Sequence, residues 1–295
     1  MQSPQKFSHF VGIDWSGAKG KRHRGLAVAL CGGHDAAPRL VAPPSGHQYW
    51  SRSEVAEWLQ AGCGLGPQTR VLVGVDSAFS LPFTDKGAYL GVTPGLSHVS
   101  DLWNAVESAC EQDVDLYGGA FVVSHKCHYH RPGARGAIYE RRMRVAETRT
   151  VEAGAGPCES VFHLIGPSQV GLSGLSTIRM LVRLKGQEGL AIWPYDSAAK
   201  VTGARIVLTE IYAAAFATMG GHRGKIREIQ ALNKTLRALG SKPYRRKNSE
   251  LSDDACDALI TAAALRHIAD SRKYWHPPLL STKVRETEGW VFGVT

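Results

Sequence analysis

The dominant pattern along the chain is a series of short apolar runs that stop at turn-forming residues, with helical periodicity between them. The run at 10–13 ends in Asp14 before Trp15, Ser16 and Gly17, and the run at 71–75 ends in Asp76 before Ser77 and Ala78. Runs of this length that stop at a turn signal predict buried strands. Residues 25–30 predict a second strand and 39–42 a short third, so a hairpin-like meander follows the first. Leu190–Trp193 and 205–212 predict two more strands. Helices are predicted at 53–61, with Ser53 as N-cap, near 101–112, over 175–184 and over 253–268.

Two of these strands end alike, in Gly12-Ile13-Asp14 and in Gly74-Val75-Asp76. A buried strand that ends in Asp delivers the carboxylate to the sheet edge, where open α/β folds place their chemistry. Two such endings predict two carboxylates side by side. The last helix adds more. Ser252 is its natural cap, and Asp253 and Asp254 complement the helix dipole. Asp257 lies beyond the first turn, ahead of an apolar stretch, and projects from the same face as Asp254. Two acids on a core-facing helix are costly unless a cation compensates them. Asp14, Asp76, Asp254 and Asp257 together would suit a hard divalent ion, Mg²⁺ or Mn²⁺, which prefers oxygen ligands. Such ions support phosphodiester cleavage.

Between 80 and 157 the periodicity loosens, and the segment is expected to be an insertion or lid, partly mobile, within a single domain spanning 1–295. It holds a glycine- and histidine-rich tract at 118–136 and a basic segment at 139–144. His125, Cys127, His128 and His130 match no standard zinc spacing and are expected to form a polar loop. Arg131, Arg135, Arg141, Arg142 and Arg144 are either a phosphate clamp or a solvated helix face.

Composition adds a sign. The chain has 295 residues and a formal net charge of +9, compatible with a nucleic-acid partner. The six cysteines form no CxxC pair, which favours reduced thiols in a cytoplasmic protein. No signal peptide is expected at the start, and no run is long enough to span a membrane. A P-loop, GxxxxGK[ST], is absent.

The order of GID, GVD and a late Asp-Ala-Cys-Asp-Ala-Leu helix resembles the ribonuclease H-like superfamily, and the late motif is similar to the closing helix of RuvC-type resolvases. Most of the chain resembles a family of predicted RNase H-like nucleases, known as domain-of-unknown-function family 429. The residues that carry this likeness are Gly12-Ile13-Asp14, Gly74-Val75-Asp76, Val161 with Phe162 to Gly166, Gln169-Val170-Gly171, Ile192-Trp193-Pro194-Tyr195-Asp196, Glu210-Ile211-Tyr212, Asp254 to Leu259, and Glu288-Gly289-Trp290. The family often carries proline where this chain has Ala213. The resemblance implies an α/β fold with a mixed five-stranded sheet, strand two antiparallel, flanked by helices. It also implies a metal-dependent nuclease in which Asp14, Asp76, Asp254 and Asp257 hold the ions. Glu210 is either a further acid at the sheet edge or a strand-end Glu paired with an arginine. Two other functions compete: a nucleotide-binding phosphotransferase of the actin–sugar kinase class, and an inactive nucleic-acid-binding module on the same fold.

Overall fold

The computed structural model describes residues 6–33, 36–91, 95–166, 169–245 and 251–295. The sequence is also strongly basic over 222–247, and Arg246 and Lys247 at the end of that run lie outside the described residues. The first half comprises β1 (His9–Asp14), β2 (Ala27–Gly32), β3 (Arg39–Leu40), α1 (Arg52–Gln60), β4 (Val71–Asp76), α2 (Val99–Ala109), α3 (Gly119–Ser124), the hairpin β5 (His130–Arg131) and β6 (Ala134–Arg135), and α4 (Val145–Glu152). The second half comprises α5 (Val170–Leu184), β7 (Leu190–Trp193), α6 (Ala198–Gly203), β8 (Ile206–Ile211), α7 (Ala213–Met219), α8 (Ile229–Ala238), α9 (Asp253–Ile268), α10 (Arg272–Trp275) and α11 (Thr282–Thr287).

The architecture is α/β. Six strands form a mixed sheet in the order β3-β2-β1-β4-β8-β7. Strand β2 runs antiparallel to β1, while β1, β4, β8 and β7 are parallel neighbours. The five strands implied by the resemblance thus become six, with β7 at the far edge beyond β8. Both are short and fully buried, as strands covered on both faces should be; β7 is wholly apolar, and β8 is apolar except for Thr209 and Glu210.

Side chains alternate between faces along a strand, and residues in register share a face. Val11, Ile13, Val73, Val75 and Leu208 therefore project together, into a core shared with α1, α2 and α5. Phe10, Leu72, Val207 and Ile211 project the other way, into a core shared with α7, α8 and α9. Gly12 and Gly74 are in register on that second face. A Cβ on Gly12 would lie 2.2 Å from the Ala258 carbonyl oxygen, and one on Gly74 would lie 3.0 Å from Leu265 Cδ1. The two glycines let α9 lie directly on the strands.

Helix α1 begins at Arg52, and its cap lies two residues before the expected one. Ser51 accepts from the Glu54 amide at 3.1 Å, whereas Ser53 lies inside the helix. The extra start is held from a distance: Asp115 accepts the amides of Arg52 and Ser53 at 3.0 and 2.9 Å.

The segment 80–157 supplies Phe83, Leu102, Trp103, Phe121 and Tyr129 to the first core. Its basic stretch is neither helical nor a phosphate clamp at two of its arginines. Arg142 is buried, donating to Asp85 at 2.8 and 2.6 Å and to the carbonyls of Pro82, Ala88 and Tyr89. Arg144 is 1% exposed and bound to carboxylates. A buried guanidinium must satisfy its donors internally, and extended chain leaves these two free to turn inward. Glu288 ties the segment to the C-terminus, accepting the amides of Phe83, Thr84 and Val145.

Candidate functional site

Asp14 and Asp76 are direct partners in the β1–β4 pairing, each the last residue of its strand. Neighbouring strands lie about 4.8 Å apart, so the two carboxylates project side by side. Both are two residues beyond the glycines that seat α9, and hence on the α9 face. That helix begins beside them. Its N-cap is Ser252, which accepts the Ala255 amide at 3.1 Å, and its first two turns carry Asp253, Asp254 and Asp257.

The four predicted acids feel one another. The Asp14 carboxyl is held well above the usual carboxylate range, first by burial, then by the charges of Asp76, Asp257 and Asp254, and by a hydrogen bond with Asp254. Burial, with the Asp257 charge behind it, pushes Asp76 up to about 7, although the Ala213 amide donates to it at 3.3 Å and favours its charged form. Asp257 is raised to about 6, chiefly by burial; the Lys225 ammonium opposes the rise and Asp253 and Asp254 add to it. All four residues nevertheless keep part of their surface exposed. The result is a half-buried recess in which Asp14, Asp76 and Asp257 keep their protons to a higher pH than they would in water.

Glu210 is not among them. It is in register with Val75 rather than Asp76, so its side chain leaves the opposite face of the sheet. There it is 3% exposed and paired with Arg144, which donates to both of its oxygens, one at 2.8 Å, while the Phe79 amide donates at 2.9 Å. Of the two readings of Glu210, the arginine pair is the one observed. Its charge reaches Asp76 only as a secondary influence.

Several further residues surround the recess, two of them, Lys225 and Arg227, from the basic stretch of the sequence over 222–247. Lys225 pairs with Asp253 and lies within electrostatic reach of Asp254 and Asp257, and Arg227 is 3.4 Å from Asp253. Ser16 and Gly25 flank Asp254: a Cβ on Gly25 would lie 3.7 Å from its Oδ1 and 3.9 Å from Ser16 Oγ. The loop carrying Ser16 is fixed by Arg52, whose guanidinium donates to the carbonyls of Ser16 and Ala18 at 2.7 and 3.0 Å. The same loop presents exposed Lys19, Lys21 and Arg24, none of which pairs with a carboxylate among the described residues.

An all-oxygen donor set under mutual repulsion fits a hard divalent cation, which would replace the retained protons. Among the described residues, however, no three His, Cys, Asp or Glu side chains already stand as a finished metal cage. The histidine tract forms no such group either. Its residues lie in α3, a short 3₁₀ turn and the β5–β6 hairpin, with His130 packed on His163 and Tyr139. Comparisons with protein-family models, with curated proteins and with solved structures return no match.

Proposed function

We propose that this protein is a metal-dependent nuclease on a ribonuclease H-like fold, hydrolysing nucleic-acid phosphodiesters at the Asp14–Asp76–Asp257 recess. The observation that carries this reading is the register pairing of Asp14 with Asp76 beneath the first turns of α9. The meander β1-β2-β3, with β2 antiparallel and β4 parallel on the other side of β1, supports the fold.

Asp14, Asp76 and Asp257 would hold Mg²⁺ or Mn²⁺, with Asp254 released from its hydrogen bond to Asp14 to join them. A divalent ion bound there supplies an activated water and charge for the leaving oxygen. The protein's own contribution is positional. The strand ends fix two carboxylates at sheet spacing, and α9 brings a third from above. Lys225 offsets negative charge at the rim, and the cationic loop at 19–24 offers contacts for a phosphate backbone. No side chain is needed as a nucleophile.

The test is cleavage of single- and double-stranded DNA and RNA with Mn²⁺, against Asp14→Asn and Asp76→Asn. Turnover by wild type and its loss in both variants supports the reading; equal turnover by the variants overturns it.

A second reading, a binding module without turnover, has one observation in its favour, the unfinished arrangement of the acids. It predicts salt-sensitive nucleic-acid binding that is indifferent to Mn²⁺ and to Asp14→Asn. The kinase reading finds less support. Its phosphate loop would be residues 14–18, yet a Cβ on Gly17 would lie 2.2 Å from the Ser173 amide nitrogen, so α5 already fills that side of the loop.

A further inference from the structure

A cavity of about 530 Å³ opens at the end of the sheet opposite the carboxylates. Phe7, just before β1, and Arg70, just before β4, line it together with Trp193 and Trp275. Asp14 and Asp76 close the other ends of the same two strands, roughly 20 Å away at about 3.3 Å per residue. Helix α9 gives the same span: its acids sit in the first turns, and Ala269 and Asp270, which line the cavity, follow its last residue.

One wall is aromatic. The rings of Phe7 and Trp275 are parallel within 8°, with centroids 5.9 Å apart, and Trp193 meets Trp275 edge-on at 5.9 Å. The Trp275 indole donates to the Ala269 carbonyl at 2.7 Å, which fixes the ring plane. Phe7 and Trp275 both remain half-buried, and the Arg70 guanidinium lies over the Phe7 ring, 4.2 Å from its centroid.

The rim carries an uncompensated positive charge. Lys6 pairs with Asp270 at 3.2 Å, and Asp196 is taken by Lys200 at 2.9 Å. Arg272 and Arg285 are left: both line the cavity, and among the described residues no carboxylate pairs with either. Two guanidiniums beside an aromatic wall call for a ligand with a planar ring and a compact anion. Phosphate is the anion that guanidinium forks match best, and the volume suits a small-molecule ligand.

We propose that this cavity binds a nucleotide, its base against the Trp275 side of the aromatic wall and its phosphate on Arg272 and Arg285. The site is separate from the carboxylate recess and does not depend on the nuclease reading. The nucleotide is either free or the 5′-phosphorylated end of a strand.

The test is titration with adenosine 5′-monophosphate in excess EDTA, followed by tryptophan fluorescence and calorimetry. Adenosine, ribose 5-phosphate, benzoate and a short 5′-phosphorylated single strand serve as parallel probes. Saturable binding of the monophosphate is expected, weakened at least about tenfold by the Arg272→Ala/Arg285→Ala double variant. Asp14→Asn should bind as wild type does. Both arginines keep solvent exposure, and Arg272→Gln and Arg285→Gln single variants repeat the test if the double variant melts early. Arginine-dependent binding of the strand assigns the site to a strand end; binding of the monophosphate alone assigns it to a free nucleotide. The proposal is overturned if neither saturates, if adenosine or benzoate binds as tightly as the monophosphate, or if the arginine variants bind unchanged.

Discussion

The Cα of Gly12 lies directly beneath the carbonyl of Ala258, so close that a Cβ on Gly12 would stand 2.2 Å from that oxygen. This contact explains why glycine sits two residues before each strand-end Asp. The glycine and the Asp share a face, so the residue that admits α9 and the residue that works under its first turns come from the same alternation. Gly74 repeats the device one strand over, against Thr261 and Leu265.

Gly12→Ala should therefore act at both levels. The added methyl meets helix backbone rather than a movable side chain, so α9 must lift or tilt, at a cost of about 1–3 kcal/mol. Urea denaturation should show the loss, and Mn²⁺ affinity should fall with it, because Asp254 and Asp257 move with the helix. Wild-type stability in this variant would mean that α9 is not seated as described.

The carboxylate recess predicts an unusual pH dependence for the metal-free protein. Asp76 is raised to about 7 and Asp257 to about 6, both above an unfolded value of about 3.9. Between those limits the folded state holds more protons than the unfolded one, so these groups make stability fall as pH rises from ~4 to ~7. The difference in melting temperature between wild type and Asp76→Asn isolates the effect. Metal-free Asp76→Asn should be the more stable of the two above pH ~7, and the gap should close towards pH ~4. A gap that widens on acidification would contradict the assigned direction.

Divalent ions should reverse this trend in wild type. Binding requires the deprotonated carboxylates, so the rise in melting temperature with Mn²⁺ should grow across the same pH window. Asp76→Asn and Asp257→Asn should lose most of that rise. An equal rise in wild type and in both variants would place the ion elsewhere.

Glu210 and the recess acids should separate cleanly under mutation. Removing one partner of a buried ion pair costs about 3–5 kcal/mol, because the other charge stays buried. Glu210→Gln leaves Arg144 with Glu147 alone and should lose stability on that scale in chemical denaturation, while Mn²⁺ affinity stays nearly unchanged. A large loss of Mn²⁺ affinity without a loss of stability would restore Glu210 to the metal set.

Asp115 should matter more than its place in an irregular stretch suggests. It accepts two amides at the start of α1 and lies 3.1 Å from the His23 ring, and its backbone carbonyl accepts from Arg52. Asp115→Ala should therefore destabilise by more than a single lost cap, itself about 1 kcal/mol. It should also speed proteolysis of the loop at 16–24, which Arg52 holds through the carbonyls of Ser16 and Ala18. Loop proteolysis at the wild-type rate would show that Arg52 keeps its place without Asp115.

By itself the sequence determined the strands and the acids. Buried strands must end at turns and be largely apolar, so β1, β2, β4, β7 and β8 were visible as runs, and the paired endings at Asp14 and Asp76 marked neighbours. The last helix was legible to the residue, because Ser252 caps it and its apolar stretch has no interruption. Only the tertiary structure decided which face each acid takes. Alternation within β8 separates Glu210 from Ile211, but the register with β4 selects which of them sits with Asp76, and register is set by pairing across more than a hundred residues. The same holds for Arg142 and Arg144, which look like surface charge until distant carboxylates and carbonyls close around them. Charge is a property of the residue; whether it faces water or a partner is a property of the packing.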